Sequence, residues 1–215
     1  MTFAAMTMKM AEGLGRTCAI FGLTLLFSLP LGLVITMLRR SRFAVIRNVM
    51  RVFISVIRGT PLMLQLLAVT YGPFYLFGVG VARNKLIPII IGFALNYAAY
   101  FAEIYRGGIE SMPVGQYEAA AVLGYNKFQT FMRIILPQVI KRILPSVTNE
   151  VITLVKDTSM AFTVAYQEMF SIGKQIANSQ ASFMPFIIAG LFYYIMNTVV
   201  AFVMSYIEKR LNYYR

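Results

Sequence analysis

Four stretches of the chain are apolar over the length a bilayer demands, and a fifth is apolar but interrupted by charge. Residues 17–38 and 59–82 run for 22 and 24 positions without an ionised side chain, residues 86–102 for 17, and residues 175–207 for 33. The apolar core of the last of these is expected to begin near Phe183. The fifth stretch, residues 143–165, carries Glu150, Lys156 and Asp157. A helix needs about 20 apolar residues to cross the hydrocarbon core, and backbone polar groups in lipid must be satisfied internally. The pattern predicts an all-α polytopic membrane protein with about five transmembrane helices. Residues 1–16 are expected to form an extracytoplasmic N-terminal arm, and residues 17–215 a single transmembrane domain. Pro73, directly after Gly72, is expected to kink or interrupt the second span.

Composition agrees with the pattern. Hydrophobic residues make 59% of the 215 and charged residues 13%, against roughly 45–50% and 25% in soluble domains. A soluble enzyme and a nucleic-acid module are excluded, and the net charge of +12 belongs to membrane topology. With five spans the odd-numbered junctions share one side. The segments after the first and third spans and the C-terminal tail hold 14 Lys and Arg residues, and the opposite side holds 5. The bias places the N-terminus outside and the C-terminus in the cytoplasm. There is no His, and Cys18 is the only cysteine, so neither an intrachain disulfide nor a Cys/His metal site is possible. Isolated acids without His also argue against a membrane-embedded enzyme, which needs a metal or a nucleophile–base pair.

Residues 103–142 then form a long cytoplasmic loop. Ser111 is expected to cap a helix with Pro113 in its first turn, Gly124 to end it in a left-handed conformation, and a second helix to run over residues 126–135 until Pro137 stops it. Such a loop reads equally as a lever for a cytoplasmic motor or as an amphipathic hairpin held by lipid.

The loop also contains Glu118-Ala119-Ala120, three residues, Gly124, nine residues, Ile134, one residue, and Leu136-Pro137. This resembles the EAA motif of ATP-binding-cassette importer permeases. Arg58-Gly59-Thr60-Pro61 with Gln65, the run from Ala102 to Gly108, Asn149-Glu150, and Lys156-Asp157-Thr158-Ser159 are similar to the polar amino-acid subfamily. Met160 and Ala161 are less typical of it. The resemblance implies a bacterial inner-membrane permease of an amino-acid importer. It implies pairing with a second permease subunit, identical or related, above two cytoplasmic ATPases, and an extracytoplasmic substrate-binding protein. The EAA residues would form the coupling helix. ATP and Mg would sit on the ATPases, with no cofactor on this chain. The chain's one Gly-Lys pair, Gly173-Lys174, is followed by Gln175 and has Glu168 where a phosphate-binding loop needs its first glycine.

Inside the spans, polar residues mark a candidate substrate path. A charge at the bilayer centre costs about 2.5–3.5 kcal/mol, so the fourth span should face protein or water. Glu150 and Asp157 lie on one face of it, and Asn149 and Lys156 on a neighbouring face. Asp157 can accept an ammonium, while Asn96, Thr158 and Ser159 can donate to a carboxylate. Lys156 is a further carboxylate partner, or a structural charge. Gln65 is a second amide candidate, and Glu150 a gating one. A permease for another small polar solute and a non-transporting scaffold subunit are the alternative functions.

Overall fold

The structure, a computed structural model, describes residues 2–211, and these fold entirely into helices and their connections. Arg215, counted in the charge bias, lies outside them.

Helix α1 spans Phe3–Arg39 without a break. The expected arm is therefore the beginning of α1 rather than a separate element. Thr2 caps it by accepting from the Ala5 N–H at 3.4 Å. Met6 and Met10 are buried against Met169, Ile176 and Ile188, a cluster assembled from the far end of the sequence. At 1.5 Å per residue α1 is about 56 Å long, well beyond a hydrocarbon core of about 30 Å.

The second expected span, residues 59–82, begins at a sharp elbow. Helix α2 (Ala44–Gly59) and helix α3 (Leu62–Phe77) are bent by 109° at their junction. Pro61 holds Thr60 in an extended conformation, as residues before proline are. Gln65 then repairs the break: its side-chain amide donates to the carbonyls of Ile57 and Thr60 at 2.7 and 3.0 Å. Pro73 neither ends nor interrupts α3, which runs on to Phe77 and stops at Gly78 in a left-handed conformation.

Helix α4 (Leu86–Glu110) is eight residues longer than the apolar run it grows from. Arg106 extends it by pairing with Glu103 at 2.7 Å and with Glu110 one turn on. α4 is the central helix. Phe93, Tyr97, Phe101 and Tyr105, one turn apart, fill the main core with Ile20, Leu66 and Leu154. α1 lies close along it, because a Cβ on Gly32 would sit 2.9 Å from the Phe101 Cβ. Small residues at such crossings are how helices approach in lipid.

The loop is shorter than expected, since its ends belong to long helices. Ser111 closes α4, its hydroxyl donating to the Gly108 carbonyl at 2.8 Å, and does not cap the next helix. That helix, α5 (Val114–Val122), starts after Pro113, and the three-residue α6 (Lys127–Gln129) after an Asn126–Gln129 capping box. A π-helical turn, Thr130–Ile135, then leads straight into α7 (Leu136–Asp157). Pro137 does not stop the helix. The wider turn ahead of it accommodates a residue with no N–H to donate and a ring that crowds the preceding turn.

α7 gives way to a 3₁₀ segment, Thr158–Val164, which ends at a left-handed Ala165. The last run is also two helices, α8 (Met169–Gln180) and α9 (Met184–Leu211), divided at a left-handed Ala181. The start of α9 agrees with an apolar core beginning near Phe183. Glu168, fully buried, caps α8 by accepting from the Phe170 and Ser171 N–H groups at 2.7 and 2.6 Å and from the Tyr193 hydroxyl at 3.1 Å. Among the described residues three helices, α1, α4 and α9, are long and apolar enough to span singly, and α2 with α3 makes a fourth candidate as a bent pair. α7 is long enough at 22 residues and charged throughout.

Candidate functional site

Two surfaces carry the residues singled out in the sequence. The first is the loop helix α5. Gly124 adopts φ +78° and turns the chain back, with the Tyr125 N–H bonding the Ala120 carbonyl at 3.0 Å. Ala120 is buried, while Glu118 and Ala119 face outward. Ile134 and Leu136 are half-buried and Pro137 is exposed. The motif therefore divides: Ala120, Ile134 and Leu136 hold the loop together, and Glu118, Ala119 and Pro137 are available at its surface. α5 is bolted to its support. Gln138 donates to Gln116 at 3.3 Å and to the Ile134 carbonyl at 2.8 Å, and Arg142 donates to the Ser111 hydroxyl at 3.0 Å.

Beside Gly124 stand Val122, Leu123 and Phe128, 88%, 72% and 72% exposed. The motif pattern did not mark them. Their signal in the sequence is three large apolar side chains around a turn that lacks any apolar neighbour to cover them. Solvent-facing apolar groups of this size on a rigid tip suit a partner's groove.

The second surface is α7. Asp157 is half-buried and accepts from the Tyr97 hydroxyl at 2.7 Å; Tyr97 itself is 2% exposed. Asn96 is buried and donates to Gln65 at 3.0 Å. Those two amides are thus joined to each other and to the α2–α3 elbow. Thr158 is fully buried with its hydroxyl on the Val155 carbonyl at 2.7 Å. Ser159 and Glu150 are half-buried at the edge. The zwitterion site expected from Asn96, Asp157, Thr158 and Ser159 is not assembled as one cluster: Asn96 and Thr158 are turned into helix contacts.

What α7 does expose is a polar stripe. Ser146, Asn149, Thr153 and Lys156, spaced three and four apart, are all exposed on one side of the helix. Sequence reasoning sets Asn149 beside Lys156 but passes over Ser146 and Thr153, whose helical spacing is the available signal. Near the far end, Lys156 and Ser159 share a cavity of about 340 Å³ with Phe170, Phe186 and Tyr193. The Lys156 ammonium can receive a carboxylate and the aromatic walls an apolar side chain, while the hydroxyls of Ser159 and Tyr193 donate to the Lys156 carbonyl at 2.8 Å and to Glu168 at 3.1 Å.

At the other end of α4, Glu103 gathers arginines from three elements: Arg39 of α1, Arg58 of α2 at 4.0 Å and Arg106 of α4. Arg58 also lies 5.0 Å from the centre of the Tyr100 ring. The Arg-Gly-Thr-Pro segment and the segment around Glu103, distant in sequence, are one ionic joint.

The bundle thus carries a polar stripe on one helix and an exposed apolar tip on the loop connected to it. Residues 28–213 match the family described as binding-protein-dependent transport system inner membrane component, and the chain belongs to that family. It is 34% identical over 208 residues to the L-cystine transport system permease protein TcyB of Bacillus subtilis (strain 168), covering 95% of this chain and 87% of that protein. It is 33% identical over 202 residues to the arginine transport system permease protein ArtQ of the same strain, covering 94% and 91%. A chain in the crystal structure of an amino acid ABC transporter with histidines superposes with a TM-score of 0.88 at 31% identity, covering 98% of this chain and 99% of that one.

Proposed function

We propose that this chain is the pathway-forming permease subunit of an ATP-driven amino-acid importer of a bacterial inner membrane. The observation that carries the reading is the continuity of α7. One helix joins the exposed loop tip, through the π turn, to the polar stripe bearing Lys156. A displacement imposed on the tip is delivered to that stripe without an intervening flexible link.

The stripe lines the translocation path, formed with a second permease subunit, identical or related. The cargo's carboxylate meets the Lys156 ammonium, beside Ser159, whose hydroxyl donates to the Lys156 carbonyl at 2.8 Å, and Asp157, held by Tyr97, accepts the cargo's ammonium. Glu150 stands further along the route. Gln65 and Asn96 act as positioning residues that fix the elbow beside the path. Val122, Leu123 and Phe128 seat in one of two cytoplasmic ATPases, with Glu118 and Ala119 at the rim. ATP and Mg are held by those ATPases and no cofactor by this chain. An extracytoplasmic binding protein supplies the amino acid, and rocking of the two permease halves alternates access. The charge bias supports residues 1–16 outside and the C-terminus in the cytoplasm. Relatives of near-equal identity are named for cystine and for arginine, so the cargo is stated as a class.

The test is ATP-dependent uptake of radiolabelled amino acids in proteoliposomes holding this chain, its ATPase and its binding protein. Uptake requiring all three supports the reading. Binding of the ATPase without uptake of any amino acid would leave a scaffold subunit instead.

A further inference from the structure

The basic segment between α1 and α3 folds as helix α2, which has three distinct faces. Met50, Phe53, Ile54 and Ile57 pack inward against Ile35 of α1 and Ala98, Ala99 and Ala102 of α4. Val45, Val49, Val52 and Val56 form a second row, 75%, 54%, 62% and 55% exposed, and no described part of the chain covers it. On the third face Arg47, Arg51 and Arg58 recur at helical spacing. Because α2 turns 109° from α3, it runs along the bilayer surface when α3 crosses it. Apolar and basic faces on an in-plane helix are the arrangement of interfacial helices.

The charges are strongly unbalanced. Residues 39–58 hold six arginines, and no acidic residue occurs between Glu12 and Glu103. Glu103 answers Arg39 and Arg58. Arg40, Arg42, Arg47 and Arg51 have no carboxylate partner among the described residues, and half-buried Arg47 spends one N–H on the Ser41 carbonyl at 3.3 Å, leaving the rest of its guanidinium for a phosphate. Arg51, with Arg39, Arg58, Ser55 and the single carboxylate Glu103, lines an open cavity of about 460 Å³ between α1, α2 and α4, where the arginines outnumber the acid. A bilayer supplies apolar chains for the valine row and, at the headgroup level above them, negative charge for the arginines.

We infer that α2 docks on anionic phospholipid headgroups, with the valine row in the acyl region and Arg47 and Arg51 on the phosphates. Its placement in the cytoplasmic leaflet rests on the proposed orientation; the headgroup preference does not, since a test bilayer carries the same lipids on both sides. Each basic residue near a charged surface favours anionic over zwitterionic lipid about fivefold.

The chain contains no tryptophan, so Val52→Trp gives a single reporter at an exposed site. The full chain would be placed in nanodiscs of phosphatidylglycerol and phosphatidylcholine with brominated acyl chains on one lipid, then on the other. Quenching at position 52 is expected to be stronger when phosphatidylglycerol carries the bromine, and the preference should vanish in Arg47→Gln/Arg51→Gln. Leu191→Trp on α9, 55% exposed, is the control and should respond equally to both lipids. Equal quenching of Trp at 52 by both lipids would overturn the inference, as would a preference that survives the double substitution. Absence of quenching by either would overturn it in favour of a protein, such as a second copy, covering the valine row.

Discussion

Replacing Gly124 by valine should uncouple the loop without unfolding the bundle. Gly124 holds φ +78°, and nothing lies within 4 Å of where its Cβ would stand. The substitution therefore meets no clash, and its whole effect is backbone strain. A left-handed conformation costs an L-residue about 1–2 kcal/mol, and a β-branched side chain belongs at or above the upper end. That disfavours the bend by roughly tenfold or more. The strain falls on one turn between α5 and α6, and its relief swings Val122 and Leu123 away from Phe128. Gly124→Ala isolates the smaller penalty, and Gly124→Asn should be nearly silent because asparagine tolerates this region. The assay is uptake and ATP hydrolysis measured together in proteoliposomes with the ATPase and binding protein, with helix content by circular dichroism as the check on folding. Uptake should fall in the order Asn, Ala, Val at unchanged helix content. Wild-type uptake by the valine variant would refute the claim that coupling needs this bend.

In a Cys18→Ser background, cysteines at Asn149, Thr153 and Lys156 should react with a hydrophilic thiol reagent, while a cysteine at Asn96 should stay protected; equal protection at all four would place the α7 stripe against protein or lipid rather than water. Gln65→Leu leaves the Ile57 and Thr60 carbonyls without their side-chain donor, a loss of about 1–3 kcal/mol at the part-buried Ile57 carbonyl and less at the exposed Thr60 one, and should lower the thermal midpoint of the purified protein. Gly108→Val should do so more sharply, because even a Cβ at this position would run into Ile143 Cγ2, and overpacking costs about 1–3 kcal/mol or more; an unchanged midpoint would mean that α4 and α7 separate freely. A cysteine at Asn84 should label on intact cells and one at Asn126 should not; the reverse pattern would invert the orientation drawn from the charge bias.

The sequence by itself determined the fold class, because runs such as residues 17–38 leave no state but a membrane helix for their backbone groups. It also determined the left-handed turn at Gly124, where one residue type suffices, and the family, because the EAA spacing is a local string. Tertiary structure decided where the long helices begin and end. Residues 3–16 join α1 because Met6 and Met10 have Met169 and Ile188 to pack against, partners from the far end of the sequence and invisible to a local window. The sharp elbow falls at Pro61, at the start of the second expected span, and not at Pro73 within it, since Gln65 is placed to cap the carbonyls freed at the former. Pro137 is absorbed by a π turn that no propensity announces. At the site, the sequence supplied the polar residues and not their directions. Asn96 and Thr158 are as polar as Asn149 and Thr153, and only the packing of α4, α3 and the 3₁₀ segment turns the first pair inward while leaving the second on the open face of α7.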